Sequence, residues 1–282
     1  MDVLKRLENE ISPIAIGGVG GSGTRLLASC LEELNYYIGS DLNKAKDNLW
    51  FTLLFKHIDV LKYSNEQIHD LLNIFLQGML TKEPLTQEQQ NIVKALIHEH
   101  RHLPVEFFQE RANSLFSSHE ETPITRNWAW KEPNTHIILD RLVNLMPNMK
   151  YIHVMRNGLD MAHSANQNQQ FLWGEKFIGK NFKQTPHYSL KYWCIVHKRL
   201  LEITKSMGSN FLLINYDNFC INPGTEIPKL LDFLNVPIKE RNIDKLKSFI
   251  KPPVSIGRYK QFSKTIFDQE DIDFVETLGF NT

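Results

Sequence analysis

Cysteine is scarce in this chain. Cys30, Cys194 and Cys220 are the only three in 282 residues, and none sits in a C-x-x-C pair. That spacing argues against a disulfide framework or a cysteine-built zinc site and favours a reducing compartment. A surplus of one charge is missing too. The 32 Lys and Arg balance 32 Asp and Glu, so no bulk basicity calls for nucleic acid. No apolar run approaches the roughly 18 residues of a membrane span, and no basic stretch ahead of an apolar one marks a signal peptide. No membrane span and a cytoplasmic location are therefore expected. Low-complexity tracts, Pro/Ser-rich linkers and internal repeats are absent as well, and nothing specifies an oligomeric state. What remains is an ordinary globular composition. It predicts one domain over residues 1–282, long enough to bury about three quarters of its unfolded surface.

Strand and helix signals alternate along the chain. Apolar, strand-like runs occupy about 14–18, 125–131, 150–155 and 211–216; helical patterns occupy about 23–35, 134–145, 158–168 and 187–207. The alternation predicts an α/β fold with a central parallel sheet flanked by helices. Between the first two strands the pattern is helical. Residues 50–60 are apolar. Ser64 with Gln67 makes a capping-box start ahead of Ile68, Leu71, Leu72, Phe75, Leu76 and Met79. Thr86 opens a second helix with Ile92, Val93, Leu96 and Ile97 on one face, and Pro104 sits early in a third that runs to about Ser117. The segment of about 50–120 is too regular for a loop and reads as a helical insertion.

The most informative stretch runs from Ile14 to Leu27, an apolar strand that passes through Gly17-Gly18-Val19-Gly20-Gly21-Ser22-Gly23-Thr24-Arg25 into a helix. Such a turn leaves backbone N–H groups pointing one way at a positive helix end, which suits phosphate or a similar anion. Gly18 and Gly23 have the G-x-x-x-x-G spacing of a nucleoside-triphosphate loop, but Thr24 and Arg25 stand where Lys and Ser/Thr are needed. Gly18, Gly20 and Gly23 also satisfy G-x-G-x-x-G. The acid that a dinucleotide site wants about 20 residues on is only Asp41, after poor strand material. A phosphosulfate loop needs neither the lysine nor a metal. A glycine turn without any ligand is the fourth reading.

The stretch Lys150 to Ser164 decides among them. Arg156 ends an apolar strand, where open α/β sheets bind ligands. Asp160 falls in the first turn of the next predicted helix, a favourable place for an acid. Ser164 follows about two helical turns in. An Arg at the strand end and a hydroxyl on the helix can serve one phosphate, the Arg through a charge-assisted fork.

Here the chain resembles the sulfotransferase family, enzymes that use 3′-phosphoadenosine-5′-phosphosulfate (PAPS) and release 3′,5′-adenosine bisphosphate. Gly21 to Arg25 is similar to that family's 5′-phosphosulfate loop, and Arg156 to Ser164 to its 3′-phosphate motif. Trp130-Lys131-Glu132-Pro133 resembles the strand end whose Lys contacts the sulfuryl group. Leu213 to Phe219, with Pro223 and Leu230 to Leu234, resembles the "YEDL…P…FL" stretch, and Ser255 to Tyr259 the late basic loop over the 3′-phosphate. The resemblance covers most of the chain apart from about 40–120. It implies a P-loop-type sulfotransferase architecture. Gly20, Gly21, Ser22, Gly23, Thr24, Arg25, Arg156, Ser164, Tyr216, Gly257 and Arg258 would bind the nucleotide, and no metal would be required. The acceptor would be a small molecule or saccharide offering a hydroxyl or amine, with the helical insertion as the acceptor-side wall or, on the plainer reading, as helix packing alone.

Two departures stand out. Many relatives carry Lys or Arg where this chain has Gly21, which removes a positive charge; Arg25 or Lys131 would supply it. Many also place a His base two residues after the strand-end Lys, where Pro133 stands here. Glu132 is then the first choice for general base, with His136 and His57 as alternatives; each has a plainer structural reading as an ion-pair or helix-start residue. Two other classes compete with a sulfotransferase. One is a magnesium-dependent P-loop kinase-like enzyme. The other is an inactive relative that binds PAPS or the bisphosphate without turnover. His98, His100 and His102 lack the neighbours of a metal site; His98 and His102 read as a polar helix face. Trp173, Tyr188, Tyr192 and Trp193 read as core and pocket wall rather than a base-stacking platform. Asn166 to Gln170 is expected to end the helix after Ser164, near the acceptor.

Overall fold

The computed structural model describes residues 3–4, 12–81, 83–117 and 127–282. Residues 118–120 of the expected insertion and 125–126 of the expected second strand lie outside these. Four strands, β1 (Ile14–Gly18), β2 (Ala129–Lys131), β3 (Lys150–Met155) and β4 (Phe211–Asn215), form one parallel sheet in the order β2-β1-β3-β4. The β1–β2 register pairs Ile14 with Ala129, Ala15 with Trp130 and Ile16 with Lys131. Both strands are buried along their whole length, β2 including its terminal Lys131, which is why neither shows an outward polar alternation.

The chain forms two compact units. The first comprises Met1–Ile16 and Leu27–Tyr151. It holds most of α1 (Thr24–Glu33), then α2 (Leu49–Phe55), α3 (Asn65–Leu80), α4 (Gln87–Leu96), α5 (Val105–Phe116) and α6 (Leu139–Leu145). The expected helix at 50–60 is two pieces. α2 stops at Phe55, and a 3-10 turn follows at Ile58–Lys62. Both predicted capping boxes are present, at Ser64/Gln67 and Thr86/Gln89. The core is aromatic: Phe51 and Phe75 lie 5.9 and 5.6 Å from the Trp130 ring.

The second unit comprises Gly17–Leu26 and Ile152–Thr282. It contains the glycine loop, most of β3, α7 (Gly158–Ala162), α8 (Asn168–Phe177), α9 (Pro186–Thr204), β4, α10 (Tyr216–Ile221), α11 (Pro223–Phe233), α12 (Glu240–Lys247) and α13 (Gln269–Thr277). α9 supplies much of its core through Leu190, Tyr192, Trp193, Val196 and Leu200. Among the described residues, no helix is long and apolar enough to cross a membrane.

Candidate functional site

In the second unit the glycine loop leaves β1 and turns into α1. Its shape demands glycine at two places. A Cβ on Gly18 would fall 2.6 Å from the Val154 carbonyl and 2.4 Å from Ser22 Oγ. Gly23 has φ +99°, and a Cβ there would sit 2.2 Å from the Tyr216 ring. Ser22 is 2 % exposed, and its hydroxyl finds no hydrogen-bond partner. A buried hydroxyl without a partner is costly unless a ligand supplies one. Thr24 is buried beside it; Gly21, with φ +90°, and Arg25 are exposed. Gln169 braces the loop by donating Nε2–H to the Gly18 carbonyl at 3.0 Å.

Arg156 ends β3 and is 8 % exposed. Its Nε donates to Asp217 Oδ1 at 3.2 Å and its Nη2 to Ser255 Oγ at 3.0 Å, and its guanidinium lies 5.5 Å from the Tyr216 ring. Burial pushes the Asp217 carboxyl above the ordinary carboxylate range, while the Arg156 charge pulls it back. Burial also pushes the Tyr216 hydroxyl up to about 12, so it stays protonated. Tyr216 therefore touches both halves of the site, the loop at Gly23 and the guanidinium of Arg156. Asp217 and Ser255 escape sequence reasoning as partners of Arg156, because one lies 61 and the other 99 residues away along the chain.

Ser164 is a correction. α7 ends at Ala162, so Ser164 lies in the turn beyond it rather than two turns into a helix. The cause is local. Gln167 Nε2 donates to the Met161 and Ser164 carbonyls at 3.0 and 2.9 Å, and Ser164 Oγ accepts Asn166 N–H at 3.2 Å. Side-chain amides and a hydroxyl thus take the backbone groups a longer helix would use. The run Asn166 to Gln170 accordingly does not end the helix containing Ser164; it leads into α8.

The late loop is tied down at several points. Asp160 accepts the N–H groups of Gly257 (2.8 Å) and Tyr259 (2.9 Å), and Arg258 donates Nη1–H to the His163 carbonyl at 3.2 Å. The His163 ring stacks on Phe262, centroids 3.9 Å apart, and burial lowers its basicity.

The other candidates lie in the first unit. Lys131 is 2 % exposed; its ammonium contacts the Asp47 carboxylate and donates to the Ala45 carbonyl at 3.1 Å. Glu132 is fully buried and caps the 3-10 turn Pro133–Ile138, accepting the N–H and side-chain amide of Asn134, with Lys56 Nζ at 3.5 Å. Burial raises its pKa, against the Lys56 charge. His136 is buried in that turn. His57 Nδ1 lies 3.2 Å from Glu99, whose carboxylate also accepts the Tyr63 hydroxyl at 2.7 Å. His98 and His102 do not share a helical face, because α4 stops at Leu96. His100 instead stacks on Phe108, 3.7 Å between centroids.

A glycine-rich strand–helix loop, a buried strand-end arginine and a parallel sheet flanked by helices make up a P-loop-type α/β fold. A model of the sulfotransferase family matches residues 13–240, and the chain belongs to that family, whose reaction is PAPS-dependent sulfuryl transfer. No curated protein matches it by sequence. Among solved structures it is similar to the sulfotransferase domain of the Synechococcus PCC 7002 olefin synthase. That pair has TM-score 0.54 and 16 % identity, covering 97 % of this chain and 96 % of that one. It is similar also to the sulfotransferase STF9 of Mycobacterium avium, with TM-score 0.50 and 11 % identity over 98 % of this chain and 80 % of that one. At these identities the likeness is one of fold.

Proposed function

We propose that this sulfotransferase holds PAPS in the second unit and passes its sulfuryl group to a hydroxyl or amine of a small-molecule or saccharide acceptor. The observation that carries the reading is the buried, unpartnered Ser22 hydroxyl inside a glycine cradle that a Cβ would fill. The group fits those residues: the cradle offers amides and a hydroxyl to an anion. When bound, PAPS supplies a sulfuryl group activated by a phosphate leaving oxygen. The amides of Gly20, Gly21, Gly23 and Thr24, with the Ser22 and Thr24 hydroxyls, donate to the 5′ oxygens and stabilise charge that grows on them, while the Ser22 N–H holds the turn by donating to the Val19 carbonyl at 2.9 Å. Arg25, exposed at the start of α1, brings the positive charge that Gly21 lacks. Arg156, Ser164 and Arg258 hold the 3′-phosphate, Gly257 shapes the loop that carries Arg258, and Tyr216 packs between the two anion positions.

For Lys131 we propose the sulfuryl contact that the resemblance implies, which requires its ammonium to exchange Asp47 for the ligand; Lys131→Met would then lower kcat without changing bisphosphate affinity. Glu132 is the proposed base, with His136 and His57 as alternatives; to take the acceptor's proton its carboxylate gives up Asn134 or Lys56. The helices of residues 49–116 are proposed to choose the acceptor. The buried thiols of Cys30, Cys194 and Cys220 support a reducing, cytoplasmic setting.

The test is parallel calorimetry with 3′,5′-adenosine bisphosphate, ATP–magnesium and NAD. Metal-independent binding of the bisphosphate, abolished in Arg156→Ala, is expected. Binding of ATP with magnesium alone, or of none of the three, overturns the proposal. Bisphosphate binding without turnover of any offered acceptor marks an inactive relative.

A further inference from the structure

Asp160 looks, from the sequence, like an acid placed for a helix dipole. In the structure its carboxylate has another occupation. It is 2 % exposed, and each oxygen accepts a different backbone N–H of the late loop, Gly257 on Oδ2 and Tyr259 on Oδ1. Arg258 stands between those two amides. Gly257 has φ +76°, the left-handed conformation that lets amides on either side of it converge on one anion. The same loop reaches Arg156 through Ser255 and the α7 C-terminus through Arg258. α7 itself is fixed to this task at its start: Asn157 Oδ1 accepts the N–H groups of Leu159 and Asp160 at 2.9 and 3.4 Å.

We infer that Asp160 is a positioning residue that fastens the loop 255–259 and so sets Arg258 and Ser255 for recognition of the 3′-phosphate. The inference rests on the PAPS reading above. Two charge-assisted hydrogen bonds from one carboxylate fix the loop in place and in orientation. Asparagine cannot substitute, because its single oxygen accepts one amide and its NH2 group faces the other N–H, donor against donor. The two cationic side chains then lose their common frame, and the cost falls on the 3′-phosphate rather than on the 5′ group held by the glycine loop.

Two nucleotides that differ only in the 3′-phosphate read this out: 3′,5′-adenosine bisphosphate and adenosine 5′-phosphate, titrated into the wild-type full chain and into Asp160→Asn. The expected result is a Kd for the bisphosphate raised about tenfold, with that for the monophosphate unchanged within about twofold. Equal weakening of both, as a merely structural residue would give, overturns the inference, and so does no change in either. If the wild type itself fails to prefer the bisphosphate, the PAPS reading falls and takes this inference with it. Hydrogen exchange on the wild type gives a check independent of whether the variant folds. The Gly257 and Tyr259 amides should exchange at least about tenfold more slowly than unbonded loop amides. Exchange at the unprotected rate would show that the carboxylate does not hold them.

Discussion

At Gly23 one hydrogen atom separates a working loop from a blocked one. Alanine there meets the Tyr216 ring at 2.2 Å and must hold φ at +99°. Gly23→Ala is expected to weaken bisphosphate binding at least about tenfold by calorimetry, and Gly23→Ala with unaltered affinity would mean that the loop is not the anion site. Glu132 illustrates a different case, a carboxylate that also caps a turn and neighbours a lysine. Glu132→Ala removes a cap and leaves Lys56 without its buried partner, so a stability loss of about 2 kcal/mol by urea titration is expected, with bisphosphate affinity unchanged. Glycines at a strand–helix junction and an arginine at a strand end announce themselves in the sequence, because few other residues can do those jobs. The partners of Arg156 do not. Asp217 and Ser255 acquire meaning only when distant segments meet.

Elements were legible wherever their pattern was long and capped. α3 and α4 begin at Ser64 and Thr86 with the reciprocal bonds that their sequences promise. Ser64→Ala should cost about 1 kcal/mol in thermal or urea unfolding and leave nucleotide binding untouched; a larger loss would mean that the cap does more than finish a helix. The short pieces were not legible. Past Ala162 the sequence turns polar, His163-Ser164-Ala165-Asn166-Gln167, and the Gln167 amide and Ser164 hydroxyl close α7 there. Periodicity cannot see a side chain that competes for backbone carbonyls. The same blindness joined α2 to the 3-10 turn at Ile58–Lys62 and merged the turn at Pro133–Ile138 with α6.

Across the whole molecule, buried histidines make one contribution to the response to acid. In the first unit burial lowers His100 to about 3 and His102 to about 4 and lowers His57. In the second it lowers His197 to about 4; its Nδ1 donates to the Trp193 carbonyl at 2.7 Å, and its Nε2 lies 3.3 Å from that of His153. The unfolded chain gains protons as pH falls through the ordinary histidine value of about 6.5, whereas the folded chain holds these rings neutral. The stability these histidines contribute is therefore fully present above about 6.5 and is lost as pH falls through their folded values of about 4 and about 3. Urea titrations at pH 7, 6 and 5 should show it, with a shallower decline in His197→Gln; an identical slope would remove His197 from the account.

The second unit is assembled from two stretches of chain, Gly17–Leu26 and Ile152–Thr282. On a ribosome, the glycine loop emerges nearly two hundred residues before its companion Tyr216. That whole intervening stretch must be made before the loop meets the groups that shape it, and closing so long a span slows the search. Until then the cradle has no form, and a nascent chain halted before Tyr216 should not bind nucleotide. Competence to bind therefore waits on Tyr216, however early the loop itself is made.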